Sequence, residues 1–185
     1  MELLLMEKKY NLVQTLNKKI NEYTYVDKFN RPMYVRYEIS KGKYFDFNVR
    51  TKKEKKNLTA PLLYNLYNVL DAIKLGRTVV IVENEKIADY INKKYKIVAC
   101  TTILNGIDTD NISEKMVELF RGANVIILSY YGDNYDCLKD KLSPVTNNIK
   151  TVNVNTTDGA DDTRQVHKLC RIMNNFKKVI DKEVI

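Results

Sequence analysis

The chain has 185 residues, of which 44% are hydrophobic, and its 31 basic and 23 acidic side chains give a net charge of +8. This length and apolar fraction predict one domain, or one domain with an appended piece, around a real core, and no apolar run is long enough to cross a membrane. The positive charge favours polyanionic partners, nucleic acid first, with improved solubility as the alternative explanation.

Residues 1–57 predict a helix followed by an antiparallel meander. The chain opens with apolar residues at helical spacing, at Met6, Tyr10, Val13, Leu16 and Ile20. Alternation of apolar and polar residues over 22–50 then predicts about three strands, with Phe45 and Phe47 on a core face. The segments DKFNRP and KGK supply turn residues, and the charged stretch TKKEKKN is interpreted as a connector.

Residues 58–185 predict an α/β domain. Its first helix should begin near Thr59, a suitable N-cap, with Pro61 in the first turn. From Arg77 strands and helices alternate, with strands in RTVVIVE, KIVACTT, ANVIILSY and IKTVNVN. Strands this apolar are covered on both faces, so we expect a four-stranded parallel sheet flanked by helices.

Acidic residues follow three of the four predicted strands of this sheet. Glu83 follows the first, Asp133 and Asp136 the third, and Asp158, Asp161 and Asp162 the fourth. Ligands gather at the carboxyl ends of parallel strands, and converging carboxylates repel unless a cation such as Mg²⁺ lies between them. The alternatives are that Glu83 caps the next helix, that Asp161 and Asp162 cap the last one, and that loops are simply rich in Asp.

Two basic stretches could bind phosphates. The first runs from Lys41 to Lys56 and contains Lys41, Lys43, Arg50, Lys52, Lys53, Lys55 and Lys56. Tyr44 is the residue of this stretch best placed to stack on an unpaired base. The second is a stripe on the predicted last helix, formed by Arg164, Lys168, Arg171 and Lys178, which is either a solvated face or a phosphate-binding surface.

The order of these elements resembles a topoisomerase–primase (TOPRIM) domain, and more narrowly the TOPRIM-like region of primases and primase–helicases of phages and mobile elements. The resemblance covers about residues 23–160 and is carried by the segments LYNL, GRTVVIV, ENEKIAD, VACTT and RGANVIILSYYGDN. It implies a TOPRIM-like sheet and a role in nucleic-acid metabolism. In such domains the Glu that Glu83 matches, together with an Asp-x-Asp pair, coordinates Mg²⁺ for phosphoryl transfer or strand cleavage.

The chain departs from this pattern at the residues that would hold the metal. Asn84 replaces a Gly of the family, and Tyr130 and Gly132 occupy the two Asp-x-Asp positions, so that Asp133 comes one residue late. A phenol is neutral at pH 7 and a poor Mg²⁺ ligand, and two-metal chemistry needs carboxylates at defined positions. We therefore expect no cofactor, or weakly held Mg²⁺ at Glu83, Asp133 and Asp136, with Glu83 as the catalytic candidate.

Three functional hypotheses follow. The first is a DNA- or RNA-binding protein of phage or mobile-element type that keeps the fold without catalysis. The second is an Mg²⁺-dependent primase or nuclease. The third is a phage inhibitor that binds a host or CRISPR nucleic-acid enzyme. Cys100, Cys137 and Cys170 suit neither a zinc site nor a disulfide framework, so we expect a reducing, cytoplasmic setting.

Overall fold

The structure is a computed structural model and describes residues 19–54, 62–104, 112–130 and 135–154. Within these residues there are eight strands: β1 Asn21–Val26, β2 Pro32–Ser40, β3 Lys43–Asn48, β4 Lys53–Glu54, β5 Thr78–Ile81, β6 Ala99–Thr101, β7 Asn124–Tyr130 and β8 Asn148–Val154. The same ranges contain four helices: α1 Leu66–Lys74, α2 Glu85–Lys94, α3 Glu114–Glu118 and α4 Asp136–Leu142. The predicted first and last helices of the chain lie outside these residues.

The meander is confirmed as an antiparallel sheet with the order β1-β2-β3-β4. Its fourth strand, β4, lies within the stretch that the sequence predicts as a connector, and it pairs with Phe47 and Asn48 of β3. Residues 49–52 turn the chain back, and the Asn48 side chain accepts a hydrogen bond of 2.9 Å from the Thr51 amide. A strand of two residues has no alternation by which its sequence could be recognised.

One face of this sheet packs against the α/β domain. Cross-strand pairing places Tyr23 opposite Arg36, and Arg36 opposite Asp46, so these residues share a face. Tyr23 and Tyr25 are buried in one core cluster with Val80 of β5. Phe45 and Phe47, the predicted core residues, belong to the other face and are half-buried. The more polar face of the meander is therefore the one that packs into the core shared with the α/β domain.

The predicted parallel sheet flanked by helices is confirmed, with the strand order β6-β5-β7-β8. The chain moves from β5 outward to β6, and then crosses back over β5 to β7. Right-handed crossovers in opposite directions place their helices on opposite faces. Accordingly, Ala88 and Ile91 of α2 belong to one core cluster. Met116 of α3, and Phe120 just after that helix, belong to the other.

Helix α1 begins later than the sequence predicts, at Leu66 instead of near Thr59. Leu63 forms an antiparallel bridge with Ile103, and the Tyr64 amide donates to the carbonyl of Thr102. The segment before α1 is thus extended because it pairs with the chain that leaves β6, and helical spacing alone could not reveal that pairing. In the described part of the chain, no helix has the length and hydrophobicity that a bilayer crossing requires.

Candidate functional site at the carboxyl edge of the parallel sheet

The candidate site lies where β5 and β7 run side by side. The register pairs Ile81 with Ile127, so the two strands end at the same edge. Because the chain leaves β5 toward one side and reaches β7 on the other, their carboxyl ends form the topological switch point of the sheet. Open α/β sheets bind their ligands in this crevice.

Glu83 lies at the switch point, two residues beyond the end of β5. Its Oε1 accepts a hydrogen bond of 3.2 Å from the hydroxyl of Tyr135, the residue before α4. A contact between the segment after β5 and the segment after β7 therefore spans the crevice. The alternative that Glu83 caps α2 is wrong, since the cap is Asn84, whose side chain accepts a 3.0 Å hydrogen bond from the Ile87 amide.

The predicted metal ligands are not brought together as a cluster among the residues that the structure describes. Among them, no group of three or more acidic, His or Cys side chains could hold a metal ion. Tyr130, one of the two residues that the TOPRIM resemblance aligns with an Asp-x-Asp pair, is the last residue of β7. Asp136 is exposed at the first position of α4, next to Tyr135, and Asp133 lies outside the described residues. The predicted roles of Glu83, Asp133 and Asp136 stay predictions.

Two residues after Glu83, Glu85 links the candidate site to the antiparallel sheet. It is the first residue of α2 and only 4% exposed. Its Oε1 accepts a 2.6 Å hydrogen bond from the Tyr25 hydroxyl and a 3.3 Å contact from Nη1 of Arg36. Burial, and then the neighbouring Glu85 carboxylate, raise the pKa of Tyr25, so its phenol remains a hydrogen-bond donor.

Arg36 completes this buried cluster. It is 8% exposed and donates to both oxygens of Asp46, from Nε at 2.8 Å and from Nη2 at 3.1 Å. Buried charges persist when paired and hydrogen-bonded in this way. The cluster fixes the antiparallel sheet beside the first turn of α2. The sequence did not predict that Tyr25, Arg36 and Glu85 form a cluster. The one feature of the sequence that could have indicated it is the second acid of the motif ENEK, which is Glu85.

The first predicted basic stretch is divided between the two ends of the antiparallel sheet. Lys41 and Lys43 are exposed at the β2–β3 turn, whereas Arg50 and Lys52 are exposed at the β3–β4 turn. The six residues of β3 separate the two turns by about 20 Å. Lys53 is in β4, and the other predicted phosphate-binding residues, Lys55, Lys56, Arg164, Lys168, Arg171 and Lys178, lie outside the described residues.

Tyr44, the predicted stacking residue, is 44% exposed and lies on the face of the sheet that carries Arg36. The Arg36 guanidinium is 4.9 Å from the centroid of its ring. Part of the aromatic surface of Tyr44 is therefore in contact with a buried cation of the protein itself. The nucleic-acid-binding role of Tyr44 and of the lysines beside it stays a prediction.

Comparison with known proteins identifies the fold. No protein-family model matches the chain, and no curated protein matches it either. A structure of the DnaG catalytic core is similar over 83% of this chain and 52% of its own length, with a TM-score of 0.53 and 17% sequence identity. A structure of the DnaG primase catalytic domain bound to single-stranded DNA is similar over 80% and 48%, with a TM-score of 0.50 and 19% identity.

The chain spans about half the length of these solved structures. At such identities the similarity is one of fold. The expected TOPRIM-like α/β architecture is thereby confirmed as similar to that of a primase core.

Proposed function

We propose that this chain is a nucleic-acid-binding TOPRIM-like protein of phage or mobile-element type that does not catalyse phosphoryl transfer. The observation that carries the proposal is the exposure of Lys41, Lys43, Arg50 and Lys52 on a fold similar to a primase core. Lysines and arginines that neutralise phosphates supply most of the affinity of non-specific nucleic-acid binding. The net charge of +8 acts in the same direction.

The absence of catalysis is proposed from the chemistry of the switch point. One oxygen of Glu83 accepts the hydrogen of the Tyr135 hydroxyl, and Tyr130 ends the strand after which the family places its Asp-x-Asp pair. Mg²⁺ requires near-octahedral oxygen ligands, usually with one or two carboxylates held in place. A neutral phenol is a poor substitute, so the site would hold the ion loosely if at all.

A second candidate function is an Mg²⁺-dependent primase or nuclease. It is favoured by the position of Glu83 at the switch point and by the contact of Tyr135, the neighbour of Asp136, with that carboxylate. Asp136 follows Tyr135 directly in the chain, and Asp133 lies outside the described residues. This function requires metal, and it requires the Glu83 carboxylate.

Binding of labelled single-stranded and duplex oligonucleotides, measured by fluorescence anisotropy in chelating buffer over a range of salt concentrations, tests the proposed function. We expect binding without metal that weakens steeply with salt, since each phosphate contact contributes about 0.7 to 0.9 to the slope of log K against log salt. Absence of binding at low salt, or binding indifferent to salt, would contradict the proposal.

A further inference from the structure

Two turns of the antiparallel sheet lie side by side at one of its ends. The β1–β2 turn comprises residues 27–31 and the β3–β4 turn residues 49–52, and we call them the turn pair. The amide of Val49 donates a 3.0 Å hydrogen bond to the carbonyl of Met33, which fixes the second turn beside the start of β2. Two strand spacings, about 10 Å, separate the middles of the turns.

The turn pair presents cations around an exposed aromatic ring. Lys28, Arg31, Arg50 and Lys52 are all exposed, and Phe29 is 62% exposed. Lys28 Nζ lies 5.1 Å and Arg31 Cζ 4.9 Å from the centroid of the Phe29 ring. These two cations cover part of the ring, as Arg36 covers part of Tyr44, but Phe29 is the more exposed of the two aromatic residues. A planar group that stacks on the exposed part of the Phe29 ring would lie next to positive charge, which favours a partner that carries anions beside flat apolar rings.

Hydrogen bonds to one side chain hold Phe29 in this exposed position. Asp27 Oδ1 accepts from the amides of Phe29 and Arg31, at 2.9 and 3.0 Å, and its Oδ2 accepts from Arg31 Nε at 2.8 Å. Asn30 adopts a left-handed conformation with φ of 61°, which Asn tolerates better than most residues. A turn fixed before binding loses little conformational entropy when a ligand arrives.

We infer that the turn pair binds an unpaired nucleotide of a single strand, with its base stacked on Phe29 and its phosphates beside Lys28, Arg31, Arg50 and Lys52. This inference deepens the proposed function and rests on it. The exposed ring distinguishes the turn pair from a merely cationic surface. In a duplex the faces of the bases are occupied by their neighbours, whereas an unpaired base can stack on an aromatic side chain.

Single-stranded oligonucleotides that contain 2-aminopurine, whose fluorescence falls when the base stacks, test this inference together with a duplex of the same sequence. We compare Phe29→Leu, which keeps an apolar side chain without a ring, with Phe29→Trp, which restores a ring. Phe29→Leu should abolish the quenching and weaken single-strand binding roughly 5- to 150-fold, the usual effect of losing one stacked base. Phe29→Trp should retain both, and duplex binding should change less than about twofold in either variant.

Charge removal supplies an independent measurement. Arg50→Gln combined with Lys52→Gln should lower the salt slope for a single strand by about 1.4, since each phosphate contact contributes about 0.7. The matched control is Lys74→Gln with Lys115→Gln. These exposed lysines are on α1 and α3, whose Ala72 and Met116 pack on the sheet face opposite the meander.

The outcomes separate the inference from the proposed function. If the wild-type chain binds neither oligonucleotide, the proposed function fails and the inference with it. If the wild-type chain binds and quenches, but Phe29→Leu behaves like wild type, the proposed function stands and the inference is wrong. The turn pair would then serve another occupant, such as a protein surface. A slope change equal in the Arg50, Lys52 variant and in the control would also overturn it.

Discussion

The hydroxyl of Tyr25 donates a 2.6 Å hydrogen bond to Oε1 of Glu85, a residue 60 positions further along the chain. This bond joins the first strand of the antiparallel sheet to the first residue of α2. Arg36 and Asp46 extend it into a buried, charged cluster. The two acids after β5 thus have different structural roles. Glu83 lies in the crevice at the sheet edge, whereas Glu85 forms hydrogen bonds to the neighbouring antiparallel sheet.

We expect Tyr25→Phe to lower the free energy of unfolding by about 1.5–3 kcal/mol, the usual contribution of a hydrogen bond to a charged group. Equilibrium denaturation in urea would measure the change. Tyr67→Phe is the matched control, since this tyrosine is 42% exposed on α1, and it should change stability by less than about 0.5 kcal/mol. Equal effects of the two substitutions would show that the Tyr25–Glu85 bond contributes nothing.

We expect the protein to lose stability at alkaline pH, because the phenols of Tyr25 and Tyr64 are buried. Burial first, and then Glu85 for Tyr25 and Asp89 for Tyr64, raise the pKa values of both phenols. The folded state keeps both phenols neutral, whereas the unfolded state ionises them with a pKa near 10. The protein therefore keeps its full stability below about pH 10 and loses stability as the pH rises above that value. Tyrosinate absorbance and circular dichroism, followed together, should show these two phenols ionising only as the protein unfolds. Their ionisation near pH 10 in a folded chain would contradict the prediction.

The β1–β2 turn should open in acid. The hydrogen bond from the Arg31 side chain, with those from the amides of Arg31 and Phe29, lowers the pKa of Asp27 to about 2. The unfolded chain has an Asp27 pKa near 3.9, so the ionised carboxylate stabilises the turn fully above that pH. This stabilisation is lost as the pH falls toward 2 and the carboxylate is protonated. A nuclear magnetic resonance titration of the Asp27 carboxyl should give a midpoint near 2. A midpoint near 3.9 would show that Arg31 does not hold the turn.

Asn84, which the TOPRIM resemblance aligns with a Gly, is the N-cap of α2. Its side chain bonds the Ile87 amide at 3.0 Å. We expect Asn84→Ala to destabilise the protein by about 0.5–2 kcal/mol and Asn84→Gly by only a few tenths, because Gly is a tolerated N-cap and Ala is not. Thermal unfolding of the two variants compares them directly. An equal loss in both would show that the cap does not stabilise α2.

The alternation of strands and helices, and the position of Glu83 at a strand end, could be predicted because each depends on local hydrophobic pattern. The pairing of Arg36 with Glu85 could not be predicted, because the two residues are distant in sequence. In addition, the alternation pattern places Arg36 on the polar face of the meander, which would be expected to face solvent. Similarly, Lys43 and Arg50 are close in sequence, but a strand places them at opposite ends of a sheet. The sequence identifies Phe29 only as part of a turn. Its position among exposed cations depends on the second turn, which lies beside it only in the folded sheet.

The most direct test of the proposed absence of catalysis compares the wild-type chain with Glu83→Gln on a single-stranded oligonucleotide template, both primed and unprimed, with all nucleoside triphosphates present. The assay is run in Mg²⁺, in Mn²⁺ and in a metal chelator. We expect both proteins to bind the template equally in all three conditions and to leave it neither extended nor cleaved. A product that forms with Mg²⁺ or Mn²⁺ and disappears in Glu83→Gln would contradict this account and establish the chain as a metal-dependent enzyme.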